Sequence, residues 1–178
     1  MPDTIRSMAE LDSLLSDNAA GSISAQDIRD LMVSMAVHGE IGSGAKANKT
    51  LGADWEALDF DVAGTFVRGL NVDTVNKWID GVPVTMKALL SMELFFKGDE
   101  DESYDFTVFK DPIGSPVNIT RMERADVLLT DVDQTVQLSW SVGVQLTAGD
   151  ILQPSIRSNG NDFELMFGLF RVQRIGVE

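Results

Sequence analysis

The strongest constraint on this chain is the run VQLSWSVGVQL at Val136–Leu146. Val136, Leu138, Trp140, Val142, Val144 and Leu146 alternate without a fault with Gln137, Ser139, Ser141, Gly143 and Gln145. A period of two sends successive side chains to opposite faces, so the run predicts a strand with one buried face. The polar face is small and uncharged, which suits a position under another sheet, loop or subunit. Thr147-Ala148-Gly149-Asp150 closes the strand with turn chemistry.

The same texture recurs. Thr85–Phe96 puts Met86, Ala88, Leu90, Met92, Leu94 and Phe96 on one face and Lys87, Leu89, Ser91, Glu93 and Phe95 on the other. Its Ala, Leu, Met and Lys also favour a helix, but the flanking turns favour a strand. Tyr104–Lys110 alternates as well, and weaker strands fall within Asn118–Asp133 and Ile151–Ser158. Lys97–Ser103, Asp111–Pro116 and Asn159–Asp162 read as loops. Short strands divided by turns, with no helix between them beyond residue 80, exclude a parallel α/β sheet. They predict a mainly β fold, an antiparallel jelly-roll β-sandwich over residues 55–178.

The last segment departs from simple alternation. Phe163, Leu165, Phe167 and Leu169 fall on one face; Met166, Phe170 and Val172 fall on the other. A strand apolar on both faces is buried on both. The core takes one face, and a symmetry-related copy, a loop or the N-terminal helices must take the other; a second copy is the economical choice.

Residues 1–38 read as a two-helix N-terminal segment. Ser7-x-x-Glu10 fits a capping box, followed by Leu11, Leu14 and Leu15 at helical spacing. Ser24-x-x-Asp27 resembles a second cap, and Ile28, Leu31, Met32 and Met35 then form one apolar stripe. Two such helices cannot bury a core alone, so they pack on the body, on sister copies or on a partner. Residues 39–54, rich in Gly, Ser, Ala, Asn and Lys, read as a linker.

Composition narrows the chemistry. A net charge of −14 with no basic cluster opposes nucleic-acid binding and suits a basic partner surface. No Cys is present, which excludes disulfides and thiolate chemistry. No run of about 18 apolar residues predicts a membrane span, and the first residues lack a secretory pattern. His38 is the only histidine and sits at the end of the second apolar stripe, where it would meet the helix dipole. A His-based zinc site or a Ser-His-Asp triad is thereby disfavoured. Gly42-Ser43-Gly44-Ala45-Lys46 lacks the Gly-Lys-Ser/Thr of a phosphate loop. The acidic run Asp99–Glu102 lacks the ligand spacing of a calcium loop. No catalytic residue, cofactor or metal is expected.

Two stretches resemble known proteins. DNAAGSISAQDIRDLMVSM (Asp17–Met35) is similar to a segment near the N-terminus of tailed-phage virion proteins, often fibre, decoration or receptor-binding components. MELFFKGDEDESYDFTVFKD (Met92–Asp111), VQLSWSVGVQLTAGDIL (Val136–Leu152) and FGLFRVQRI (Phe167–Ile175) resemble the jelly-roll domain of the tumour necrosis factor and C1q type. The resemblance implies a homotrimer, with the N-terminal part as its attachment to the virion. Phe167, Leu169, Phe170 and Val172 are then the expected trimer contacts, and Ile28, Leu31, Met32 and Met35 the attachment helix. With no long coiled coil between head and body, a capsid decoration protein or short head fibre fits better than a long tail fibre. That role implies synthesis in the host cytoplasm, a place on the capsid surface, and the major capsid protein or another virion component as partner. The rival expectation is a receptor-binding adhesin that meets a host glycan or protein through the three loops, although these contain no aromatic residue to stack on sugar. A glycan hydrolase, the third reading, has no carboxylate pair to single out.

Overall fold

The computed structural model describes residues 4–7, 10–13, 23–44, 47–65, 67–100, 102–111, 117–118, 125–128, 134–158 and 161–176. A helical turn over residues 10–13 precedes α1 (Ala25–Met35). The strands are β1 (His38–Gly42), β2 (Ala47–Thr50), β3 (Glu56–Ala57), β4 (Val62–Ala63), β5 (Asn71–Asp73), β6 (Trp78–Asp80) and β7 (Met86–Gly98). They continue as β8 (Ser103–Lys110), β9 (Val117–Asn118), β10 (Ala125–Leu128), β11 (Val136–Leu146), β12 (Leu152–Arg157) and β13 (Asp162–Gly176).

These strands make two antiparallel sheets. One runs β11-β7-β13-β1-β4, with β2 joined to β13; the other runs β10-β8-β12-β6-β5, with β3 on β12 and β9 on β8. This is the expected antiparallel sandwich. In β7 the alternation read from sequence holds to the end: Met86, Ala88, Leu90, Met92, Leu94 and Phe96 are fully buried. Across the core, Tyr104, Phe106 and Val108 of β8 meet them, and Phe96 packs with Tyr104, Phe106 and Phe163 at ring separations of 5.2–5.9 Å. The Tyr104 hydroxyl is not wasted in this apolar setting. It donates to the Asp162 carbonyl and accepts from the Asp99 amide, which fastens the β7–β8 loop to the start of β13.

β13 corrects the two-faced reading. Its register against β7 shifts between Leu165 and Phe167, the mark of a bulge that inserts a residue and flips the side-chain phase. Phe163 and Leu165 face the core before the bulge; Phe170, Val172 and Arg174 face it afterwards. Phe167 and Leu169 turn outward, while Phe170 and Val172 are fully buried within the monomer and cannot be trimer contacts. Gly168 falls inward in the new phase, and only glycine fits there, since a Cβ would lie 2.3 Å from Phe60.

The range expected as a linker, 39–54, holds two strands of the sandwich. β1 is paired on one side with β13 and on the other with β4, and β2 extends the same sheet. Leu51 belongs to the core. Gly39 serves close packing, since a Cβ would come within 2.9 Å of Leu70. His38 is likewise strand, bridged to Arg68, and not the end of a helix. The body therefore begins at residue 38.

Phe170→Ala should cost about 3–5 kcal/mol of folding stability, the usual cost of emptying a buried phenylalanine site. Phe167→Ala should cost clearly less, since that ring lies on the outer face and is partly exposed. Denaturant melts of both variants, read at concentrations where the chain is monomeric, check the assignment.

Candidate assembly and docking surfaces

The outer face of the β11-β7-β13-β1-β4 sheet is built from residues that the core does not use. Phe95 of β7 and Phe167 of β13 meet edge to face at 6.0 Å, and Phe167 keeps 42% of its surface exposed. Leu169 lies further along β13 on the same face, and Val62 of β4 is exposed opposite Gly42 of β1. Above this patch, Arg171 is bound by Glu40 at 2.7 Å and lies 3.9 Å from Glu93. The registers Phe95↔Gln137, Glu93↔Ser139 and Ser91↔Ser141 carry the face onto β11 with small uncharged residues.

β11 ends the sheet. Among the described residues its far edge has no partner strand, and its 11 residues contain neither a charge nor a proline to guard it. Val136, Leu138, Trp140 and Val144 pack against the core yet stay half-buried at this edge of the sheet.

The second surface is α1. Ser24 and Asp27 exchange bonds as a capping box: Asp27 N–H donates to Ser24 Oγ, and Ser24 N–H donates to Asp27 Oδ2. The stripe expected from sequence is present, but it faces away from the body. Ile28, Met32 and Met35 are 50%, 63% and 68% exposed, and Leu31 is half-buried. It is Asp30 and Ser34 that are fully buried.

A chain of polar contacts holds this inward side. Asp30 accepts from the Thr4 amide at 2.9 Å, from Gln26 Nε2 at 2.7 Å and from Arg6 Nε at 2.8 Å. Ser34 Oγ accepts from the Arg6 amide at 2.7 Å. Arg174, the last inward residue of β13, donates from Nη1 to the Ser34 carbonyl at 2.7 Å and to the Arg6 carbonyl at 3.3 Å. Burial lowers the pKa of its guanidinium. The capping box and stripe were readable from residue spacing. The roles of Arg6, Asp30, Ser34 and Arg174 were not, since Arg174 lies 140 positions from Ser34. Phe95 was visible as an outward residue of β7, though not as a contact.

The loops expected of an adhesin are partly within view. Among their described residues, Asp99 accepts from the Asp162 amide and Glu102 from Asn161 Nδ2, so the acidic loop fastens its neighbours. The described residues contain no cluster of three or more metal-ligating side chains. A groove of about 400 Å³ runs beside them, lined by Lys49, Thr50, Lys97, Asp99, Asp162 and Glu164. Its charges are largely engaged: Lys49 pairs with Glu56 at 2.6 Å, and Thr50 donates to Asp162. Residues 112–116, 159 and 160 of the other two loops lie outside the described residues.

Asp30 supplies a pH test of the contact between residues 4–7 and α1. The Thr4 amide, and after it Arg6, hold its carboxyl at about 2. A folded pKa below the unfolded value of about 4 gives a contribution that is complete above that value and lost as the pH falls through the folded one. Amide exchange at Thr4 and along α1 should therefore accelerate as the pH falls from about 4 to about 2, after correction for the intrinsic rate. Asp30→Asn should abolish that dependence.

Neither a protein-family model nor a curated protein sequence matches the chain. Solved structures do. The Eiger TNF of S. frugiperda superposes with a TM-score of 0.60 at 12% identity, covering 80% of this chain and 95% of that one. Murine APRIL, in a crystal structure at pH 5.0, superposes with a TM-score of 0.53 at 18% identity, covering 76% of this chain and 98% of that one. At this identity the likeness establishes the fold, a jelly roll of the tumour necrosis factor type.

Proposed function

We propose that this chain is a structural virion protein of a tailed bacteriophage, a homotrimer that docks on the capsid shell as a decoration protein or short head fibre. The observation that carries the reading is α1, which turns an apolar stripe to solvent while burying its polar side. A helix oriented that way leaves a hydrophobic anchor for something outside the chain. The resemblance of Asp17–Met35 to virion attachment segments supplies the kind of partner. A net charge of −14 favours a shell groove with a basic rim around its apolar floor.

The trimer reading rests on the outer sheet face. Phe95, Phe167 and Leu169 form the apolar centre of one copy, and the uncharged edge of β11, which pairs with no further strand among the described residues, is suited to lie against it in the next. Phe170 and Val172 support that face from within. Assembly places several docking helices on one particle. Linked sites gain avidity without new contacts, so modest individual contacts suffice for stable decoration.

Native mass spectrometry should report a particle about three times 19.4 kDa. Phe167→Asp should give folded monomers, because it puts a charge into the shared apolar centre. A wild-type chain that stays monomeric at micromolar concentration would defeat the trimer. For docking, purified protein should bind expanded, empty shells of the phage that carries the gene and should not bind host cells. The Ile28→Ser, Met32→Ser double variant should weaken shell binding by about tenfold or more, since each fully buried side chain contributes about 1.5–3 kcal/mol. Binding to host cells with none to shells would favour the adhesin instead.

A further inference from the structure

The orientation of α1 opposes its own amphipathic pattern. A helix with Ile28, Met32 and Met35 on one side ordinarily turns that side to the body. Here the body end facing the helix carries Arg174, a guanidinium that is buried at the end of β13. Its hydrogen bonds go to two carbonyls, those of Ser34 and Arg6, and its Nε has no partner. Were the stripe to face it, the charge would keep its burial and meet only side chains with nothing to accept. The polar side offers the guanidinium the last-turn carbonyl of Ser34, at the negative end of the helix dipole.

We infer that Arg174 is a positioning residue that selects which side of α1 faces outward, and that it thereby presents Ile28, Met32 and Met35 as a preorganised helical anchor. Arg6 and Asp30 complete the clamp: Asp30 ties Arg6 to the helix, and the Arg6 carbonyl returns to Arg174. The occupant such an anchor fits is an apolar groove of a protein, gripping residues at i, i+4 and i+7. Methionines at two of the three positions let the anchor conform to the groove. Holding the helix still before contact removes part of the ordering cost of binding. The use of the anchor rests on the docking reading above; the selection of the outward side by Arg174 does not.

Peroxide footprinting combined with amide exchange on the intact chain tests this without a partner. In the wild type, Met32 and Met35 should oxidise rapidly while buried Met86 and Met92 stay protected. In Arg174→Met, the reason for the polar side to face inward is gone. Either Met32 and Met35 gain protection as the stripe turns in, or the amides of α1 exchange at least about tenfold faster as it detaches. Protection of β7 and β13 amides certifies the fold throughout. Arg174→Lys, which keeps a cation, should restore the outward footprint. Unchanged oxidation and unchanged α1 exchange in a folded Arg174→Met chain would overturn the inference.

Ser34→Ala gives an arm that leaves β13 untouched, should Arg174→Met fail to fold. It removes the acceptor of the Arg6 amide but spares the carbonyl that Arg174 uses, so the stripe should remain outward. A stripe that turns inward with Arg174 intact would overturn the inference. Shell binding separates the two readings. A changed footprint or faster α1 exchange with unchanged binding sinks docking alone, and an unchanged footprint together with unchanged α1 exchange sinks the positioning role alone.

Discussion

The pairing of β13 with β7 is the constraint on which the rest of the structure depends. The two strands run side by side from Phe163↔Gly98 to Gly176↔Lys87, through the centre of their sheet. Every inward residue of β7 is fixed by alternation, so β13 must fit what is already there. The bulge after Leu165 is how it does so. It lets Phe163 and Leu165 join the aromatic cluster and then brings Phe170, Val172 and Arg174 inward in the opposite phase. The same shift expels Phe167 and Leu169 to the outer face. One inserted residue thus decides both what fills the core and what is left on the outer face.

Energetic bookkeeping explains why the helix at the end of β13 sits inside out. Leaving three apolar side chains partly wet forfeits part of about 1.5–3 kcal/mol each. Facing them toward Arg174 would instead strand a buried charged donor, which costs more than the about 1–3 kcal/mol of a neutral unsatisfied group. Asp30 adds to the imbalance, with three donors converging on its carboxylate. The sums are close enough that the polar clamp decides.

Much of this architecture was legible as pattern. Strict alternation in β7 and β11 sufficed for the sandwich, and the spacing of Ile28, Leu31, Met32 and Met35 sufficed for a helix with one apolar stripe. What pattern could not carry was long-range circumstance. A glycine-rich stretch reads as a flexible linker, yet Gly39 and Gly42 are small because Leu70 and the Gly168 carbonyl press against them. A bulge leaves no compositional trace beyond a glycine inside a strand, so alternation put Phe170 and Val172 on the outer face, whereas the change of phase turns them inward and leaves Phe167 and Leu169 outside. The stripe gave the amphipathic face of α1 but not its direction, because the deciding charge lies on the final strand.

The two surfaces share that strand. Phe167 and Leu169 stand midway along its outer face, and Arg174 grips α1 from its end. A rigid antiparallel strand, bonded on both sides by β7 and β1, links them. Anything that fixes β13 in an assembly also fixes the helix that Arg174 holds, so docking helices on one particle would be presented in a set geometry. Avidity requires this, since its gain vanishes when the linked sites cannot be engaged at once. A flexible tether between head and body would have loosened that geometry. β1 and β2, which pair with β13 where a linker was expected, tie the start of the body to the strand that carries Arg174.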